Sequence, residues 1–312
     1  MRPIRIGTRG SRLALWQAHH VAACLEREQL STEIVIITTK GDVVLDRSLD
    51  KIGAKGVFTE ELEISLRTGA IDIAVHSAKD VQSSIPDDLE LLAFMEREKV
   101  NDVVVSYDPN FSLDQPDIIL GTSSTRRKAM LRRYYPQATA AEARGNLQTR
   151  LRKLEEGQYH ALVLAYAGVH RMEYDSLITH VLPETQFIPA TGQGSVAVEC
   201  ARSLRPELKA TLQRILDHPA THTCLRAERA FLRTMEGGCS IPSFALATLD
   251  VTGTLALRGG LISLDGQEYI EEQFSTSELT EGPEAMGVAL AEKVLGRGGR
   301  QILDAIRAER AV

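Results

Sequence analysis

The sequence predicts an α/β fold: two α/β domains facing a cleft, followed by a small α+β domain. Three observations carry this. Short β-branched runs alternate with amphipathic stretches through the first two thirds, the rhythm of a mainly parallel sheet covered by helices. At 312 residues the chain exceeds what a single hydrophobic core usually absorbs, so two or three domains are expected. The last third changes character, to consecutive strands closed by two helices.

In chain order, Ile4–Thr8 reads as a strand and Leu13–Glu28 as an amphipathic helix after Ser11. Glu33–Thr39 is β-branched and strand-like, Phe58–Arg67 helical, and Ile71–His76 and Leu89–Met95 are strands. A second set begins near residue 100. Asp102–Ser106 and Ile118–Gly121 are strand-like, Ser124–Arg133 and Asn146–Glu156 helical, and Ala161–Ala165 is a buried strand. Ala190–Ser195 carries glycines and reads as a crossover into the strand Val196–Cys200. A helix over Thr221–Met235 stops at Gly237-Gly238, a C-cap signal. Phe244–Asp250, Thr254–Gly260 and Tyr269–Ser275 then alternate as antiparallel strands, before helices near 283–295 and 300–310. No repeat, heptad or low-complexity tract is present.

Composition narrows the function. With 43% hydrophobic and 25% charged residues, the chain has an ordinary globular balance. No segment approaches the ~18 uninterrupted apolar residues of a membrane helix. The opening MRPIRIGTRG runs straight into a strand pattern without an apolar signal region, which predicts a cytoplasmic protein. Cys24, Cys200, Cys224 and Cys239 are widely spaced and form no CxxC, as expected in a reducing compartment. His218, His222 and Cys224 have metal-ligand spacing, but DHPATHTC reads as a capped helix start, so no metal is expected. A net charge of −6 argues against a nucleic-acid partner.

The basic residues are lopsided, with 27 arginines against 9 lysines. Arginine offers a planar fork suited to carboxylate or phosphate, although genome composition alone also raises its share. Position separates the two explanations. Arg9 lies in GTRGS before the first helix, and Arg126 and Arg127 open the helix in GTSSTRR beside the hydroxyls of Thr122, Ser123 and Ser124. Arg144 lies in ARGN, Arg150 one to two turns later, and Arg171 just past the strand ALVLA. Free backbone N–H groups and the helix dipole favour anions at such junctions, and open α/β sheets bind ligands at the carboxyl ends of their strands. An acidic ligand fits, while GAKG at 53–56 is too short for a nucleotide-type phosphate loop.

HSAKD at 76–80 follows the buried strand IDIAV, so Lys79 and Asp80 fall at a strand's carboxyl end. The residues leave two roles open for Asp80: capping the next turn, or stabilising positive charge and passing protons on a substrate. Asp42, Lys51 and Lys55 lie on a glycine-rich stretch that is either a lid or a long connection. Cys239, between Gly238 and Ser240 after a helix, is a loop thiol accessible to a ligand, unlike Cys24 and Cys200 in apolar patterns.

Together the strings GTRGSRLALWQA, KGD, KIGAKGVFTEE, HSAKDV, GTSSTRR, ARGN, QTRL, ATGQGSVAVE and EGGCSIP closely resemble the porphobilinogen deaminase family, also called the hydroxymethylbilane synthases. The motifs keep the family's order from residue 4 to about 243; beyond that the match is one of length and pattern. The resemblance implies two domains like those of periplasmic binding proteins around a cleft, plus a small α+β C-terminal domain. Residues 1–95 with 196–215 would form the first, carrying the catalytic aspartate and a mobile loop. Residues 100–190 would form the arginine-rich second, and 220–312 the third, with the cofactor cysteine. Such enzymes join four porphobilinogens head to tail with loss of ammonia, then add water to release hydroxymethylbilane. Their cofactor is a dipyrromethane held by a thioether, here implied at Cys239.

The implied partners are porphobilinogen and the growing oligopyrrole, with no nucleic acid, no membrane and a monomeric protein. Each pyrrole brings two carboxylates, so Arg9, Arg126, Arg127, Arg144, Arg150 and Arg171 are implied counterions. Ser11, Lys79, Thr122, Ser123 and Ser124 would add hydrogen bonds. Asp80 matches the catalytic aspartate. Asp42, Lys51, Lys55, Phe58, Ser77 and Gln193 are assigned to the mobile loop and cleft, with Phe58 either stacking on a pyrrole or packing in the core. Departures are Thr125 where leucine is expected, His170 where lysine is common, and AEA before Arg144. The long insertion associated with animal forms is absent, which favours a compact bacterial type. Two other readings stand beside this one: a two-domain binding protein for a small anion, and an acyl- or phosphoryl-transfer enzyme using Cys239.

Overall fold

The computed structural model describes residues 2–43, 59–236, 241–278 and 280–311. It divides into two compact units, Met1–Glu98 with Gly194–Thr223 and Lys99–Gln193 with Cys224–Val312. The segment 100–190 and all of 220–312 from Cys224 onward, expected from the sequence as second and third domains, fall within one unit.

The first unit opens with β1 (Ile4–Thr8) and α1 (Arg12–Arg27). Ser11 caps α1 by accepting from Ala14 N, and Ala14, Ala18, Val21, Ala22 and Leu25 form the buried stripe that a 3.6-residue period places on one face. β2 (Thr32–Ile36) pairs parallel with β1. The sequence predicts this strand as far as Thr39, but the pairing ends at Thr8↔Ile36, because β1 there gives way to the turn before α1. α2 (Lys40–Val43) is a single turn, and α3 (Glu60–Arg67) follows Thr59. β3 (Ile73–Ser77) lies parallel to β1, and β4 (Leu89–Phe94) completes this stretch.

The chain then enters the second unit through β5 (Asp102–Val105). β6 (Ile119–Gly121), α4 (Thr125–Tyr134), β7 (Thr139–Ala141), α5 (Leu147–Glu155), β8 (Ala161–Ala165), α6 (Tyr166–Arg171) and β9 (Ile178–Val181) follow. The sheet order is β7-β6-β8-β5-β9, with β5 antiparallel to both neighbours. β10 (Val196–Ala201) returns to the first unit and is the antiparallel member of its sheet, ordered β2-β1-β3-β10-β4. α7 (Pro206–Leu216) covers that sheet with Leu212 and Leu216. Each sheet is therefore mainly parallel with one reversed strand, and each reversed strand is the one by which the chain enters.

The outgoing and returning segments meet by backbone. Glu98 N donates to Gly194 O at 3.2 Å. Gly194 has φ +95, and a Cβ there would lie 2.5 Å from Glu98 O, so glycine is required twice over. On the other side of the boundary Gln193 Nε2 donates to Val100 O at 2.7 Å.

The last third contributes α8 (Pro219–Thr234), then β11 (Ser243–Leu249), β12 (Leu255–Ile262) and β13 (Tyr269–Thr276) as an antiparallel sheet. α9 (Pro283–Val294) and α10 (Arg300–Ala311) close the chain. Phe244, Leu246 and Ile262 of this sheet pack into the same core as Leu120, Met130 and Phe187. Glu228 of α8, fully buried, accepts from Gly192 N and Ala247 N at 2.8 Å each, which satisfies its carboxylate and ties the helix to the sheet and the crossover.

Candidate functional site

In the first unit the parallel register of β1 and β3 (Gly7↔Ala74) brings the strands' carboxyl ends to one edge. Arg9, half-buried, and Ser11 follow β1 there, while Ser77, Lys79 and Asp80 follow β3. Gln17 of α1 ties the two by donating to Ser77 Oγ at 2.8 Å. A 3-10 turn over Ala78–Asp80 is anchored by Ala78 N, which donates to Ser195 O at 3.0 Å. Ala78 and Val81 point inward, leaving Lys79 half-buried and Asp80 exposed. Among the described residues no hydrogen bond or ion pair engages the Asp80 carboxylate, so it is presented to solvent on a fixed backbone. Behind the turn His76 Nε2 and Glu199 Oε2 meet at 3.0 Å, both buried. Gln82 Nε2 donates to Thr59 Oγ1 at 3.0 Å and Glu63 Oε1 at 3.1 Å, fastening the turn to the start of α3.

In the second unit β6 and β7 end together (Gly121↔Ala141), so Thr122–Ser124 lies beside 142–144. Thr122 Oγ1 accepts from Ser124 N at 3.3 Å, Ser123 Oγ donates to Ala143 O at 2.9 Å, and Ser124 Oγ caps α4 by accepting from Arg127 N at 3.4 Å. Gly145, at φ +104, turns the chain into α5, which Asn146 caps by accepting from Thr149 N at 2.9 Å. Arg144 and Arg150 are half-buried on either side of that turn, and Arg150 Nε donates to Gly145 O at 2.8 Å. α6 leaves the carboxyl end of β8 and carries half-buried Arg171 as its last residue.

Arg126 and Arg127 differ from the exposed forks that their place at a helix start suggests. Their residues are 4% and 6% exposed. Arg126 Nη2 donates to Asp102 Oδ2 at 2.7 Å and Nη1 to Ile188 O at 2.8 Å. Arg127 reaches Asp102 Oδ1 through Nε (3.0 Å) and Nη2 (2.7 Å), and Val163 O through Nη1 (3.0 Å). Gln193 Nε2 adds a fourth hydrogen bond to Asp102, from a third residue, at 2.9 Å. Burial alone would raise the Asp102 carboxyl; the charges of Arg126 and Arg127, with the hydrogen bonds, outweigh it and hold the group well below the usual carboxylate range. Burial in turn lowers the Arg126 guanidinium against the pull of Asp102.

Asp42 falls in α2, and nothing is described of its side chain. Lys51, Lys55, Phe58 and Cys239 lie outside the described residues. Gln17, His76, Asp102 and Glu199 carry no local sequence signal of their bonds, because their partners are 24 to 123 residues away. The one available signal was Asp102 itself, an acid opening an otherwise apolar strand.

Each unit by itself carries donors at the carboxyl edge of its sheet, a guanidinium, a hydroxyl and an ammonium in the first and hydroxyls with guanidiniums in the second, and each group suits a ligand carboxylate. The comparisons with known proteins carry this further. Residues 4–208 match the family model described as porphobilinogen deaminase, dipyromethane cofactor binding domain, and 222–296 the model of its C-terminal domain. The porphobilinogen deaminase of Cytophaga hutchinsonii is 55% identical over 307 residues, 97% of either chain. That of Desulfosudis oleivorans is 49% identical over 97% of this chain and 98% of its own. That of Synechococcus elongatus is 43% identical over 98% and 96%. Among solved structures, the periplasmic VFT2 domain of Bordetella pertussis BvgS aligns with 68% of this chain and 86% of its own, at 19% identity and a TM-score of 0.43. The chain belongs to the porphobilinogen deaminase family. It is thereby a transferase of tetrapyrrole biosynthesis, with the family's dipyrromethane-binding domain.

Proposed function

We propose that the protein condenses four porphobilinogens head to tail, releasing one ammonia per step, and hydrolyses the bound chain to hydroxymethylbilane. The observation that carries this is the 55% identity sustained over 97% of both chains. In this reading Cys239 holds the dipyrromethane, which supplies the pyrrole carbon from which the chain grows. The donor chemistry at the sheet edges fits such a group, since every ring carries two carboxylates.

The chain's own residues have three tasks. Lys79, Arg9, Ser11, Ser123, Ser124, Arg144, Arg150 and Arg171 bind acetate and propionate groups. Thr122 orients the Ser124 backbone at the same edge. Asp80, a carboxylate exposed on an anchored turn, stabilises positive charge on a pyrrole nitrogen and holds or moves its proton. Arg126 and Arg127 act partly through Asp102, which fixes their direction. Gln193 joins that network to the crossover. Asp42, Lys51, Lys55 and Phe58 are assigned to the loop bordering the site, and Ser77 to the cleft through its bond to Gln17.

We place the enzyme in the cytoplasm as a monomer. Among the described residues no helix is long and apolar enough to cross a membrane. Porphobilinogen consumption with stoichiometric ammonia release tests the activity, and Asp80→Asn tests its centre. Loss of a positioned acid–base group costs roughly 10²- to 10⁴-fold, so turnover should fall by at least about a hundredfold with the covalent adduct retained. Turnover within about threefold of native would remove Asp80 from the chemistry.

A further inference from the structure

Glu142 stands among anion-binding groups yet is itself an anion. Its backbone is fixed by Thr122 N, which donates to Ala141 O at 2.8 Å, and by its own carbonyl, which accepts from Tyr159 Oη at 2.7 Å. The side chain accepts from Lys128 Nζ of α4 and lies 3.5 Å from Arg144 Nε. It also faces the Ser123 hydroxyl, which it shares with the Ala143 carbonyl. Burial would raise its carboxyl, but the hydrogen bonds from Lys128 and Ser123 and the charges of Lys128 and Arg144 lower it, so it is ionised at neutral pH. An ammonium, a guanidinium, a hydroxyl and the nearby start of α4 are the surroundings a ligand carboxylate would seek.

We propose that Glu142 is an internal surrogate for a ligand carboxylate: it occupies Lys128 and Arg144 and weakens the hold of this sheet edge on polycarboxylates. The identity of the natural ligand rests on the function proposed above; the electrostatic claim does not. A site that must release its product gains from such a competitor, because an unopposed cluster of cations would retain the anionic chain. Glu142 is half-exposed, so the effect is that of a screened pair, roughly two- to fivefold in affinity.

The test compares native protein with Glu142→Gln, which keeps shape and removes charge. Titration calorimetry with butane-1,2,3,4-tetracarboxylate should give a Kd roughly two- to fivefold lower in the variant. The gap should narrow at high salt, where the Debye length falls to ~3 Å. Lys128→Met should weaken binding at least about twofold more in the Glu142→Gln background than in the native one, because there Glu142 no longer competes for Lys128. In turnover, KM for porphobilinogen should fall, with no rise in kcat. A merely structural role would not tighten binding. Equal or weaker tetracarboxylate binding by Glu142→Gln, or a Lys128→Met effect of the same size in both backgrounds, overturns the proposal. Tighter binding in a protein that releases no ammonia from porphobilinogen would uphold it and sink only the proposed reaction.

Discussion

Asp102 opens β5 with no solvent exposure and gathers two guanidiniums and a carboxamide. Its folded pKa is depressed below the ~3.9 of an unfolded aspartate, so its contribution to stability is complete above about pH 4 and drains away as pH falls towards the folded value. Asp102→Asn leaves two buried guanidiniums without a counter-charge, a change that typically costs about 3–5 kcal/mol. Urea unfolding should show that loss, and the acid limb of the Tm–pH curve should flatten. A variant within about 1 kcal/mol of native, with an unchanged acid limb, would contradict the assignment. None of this was legible in the sequence, because Asp102 meets Arg126, Arg127 and Gln193 across 24, 25 and 91 residues. Local chemistry was legible: Ser11 precedes its helix as a hydroxyl cap, and Asp80 was placed at the end of a buried strand by IDIAV alone.

Elements followed the sequence wherever periodicity was long or bounded by caps. β1 and β8 have the limits their apolar runs predict, and α1 and α5 differ from prediction by a residue. Elements that owe their existence to a neighbour were not read. β7 is a three-residue, alanine-rich strand made by pairing with β6, and β9 is a half-buried edge strand against β5. The reversed strands β5 and β10 were also invisible in kind, since an apolar run carries no sign of direction. α4 depends on its start: Ser124 caps it in a segment where Ser123 and Thr122 are bound to the chain beside β7. Ser124→Ala should therefore cost about 1 kcal/mol in denaturant unfolding. It should also weaken anion binding at this edge, because the freed first turn no longer fixes the helix start. Unaltered stability and unaltered tetracarboxylate affinity would show that the cap contributes nothing.

At the scale of the whole chain, the segments 95–101 and 189–195 carry the polypeptide out of the first unit and back, and Gly194 and Gln193 fix that passage by backbone and side chain. The sequence predicted a crossover there from its glycines. It could not show that the last third would share a core with the second sheet, because Phe244 and Leu246 read only as one face of a small sheet, and Ile262 lies beyond the predicted end of its strand at Gly260. On the function proposed above, these residues serve a ligand that stays attached to the protein while it grows. Intact mass of the purified protein tests that claim most directly. The expected mass exceeds that of the chain by two porphobilinogens less two ammonias, and the increment is lost in Cys239→Ser. A fully active protein at the bare chain mass, or an increment that persists in Cys239→Ser, would contradict it.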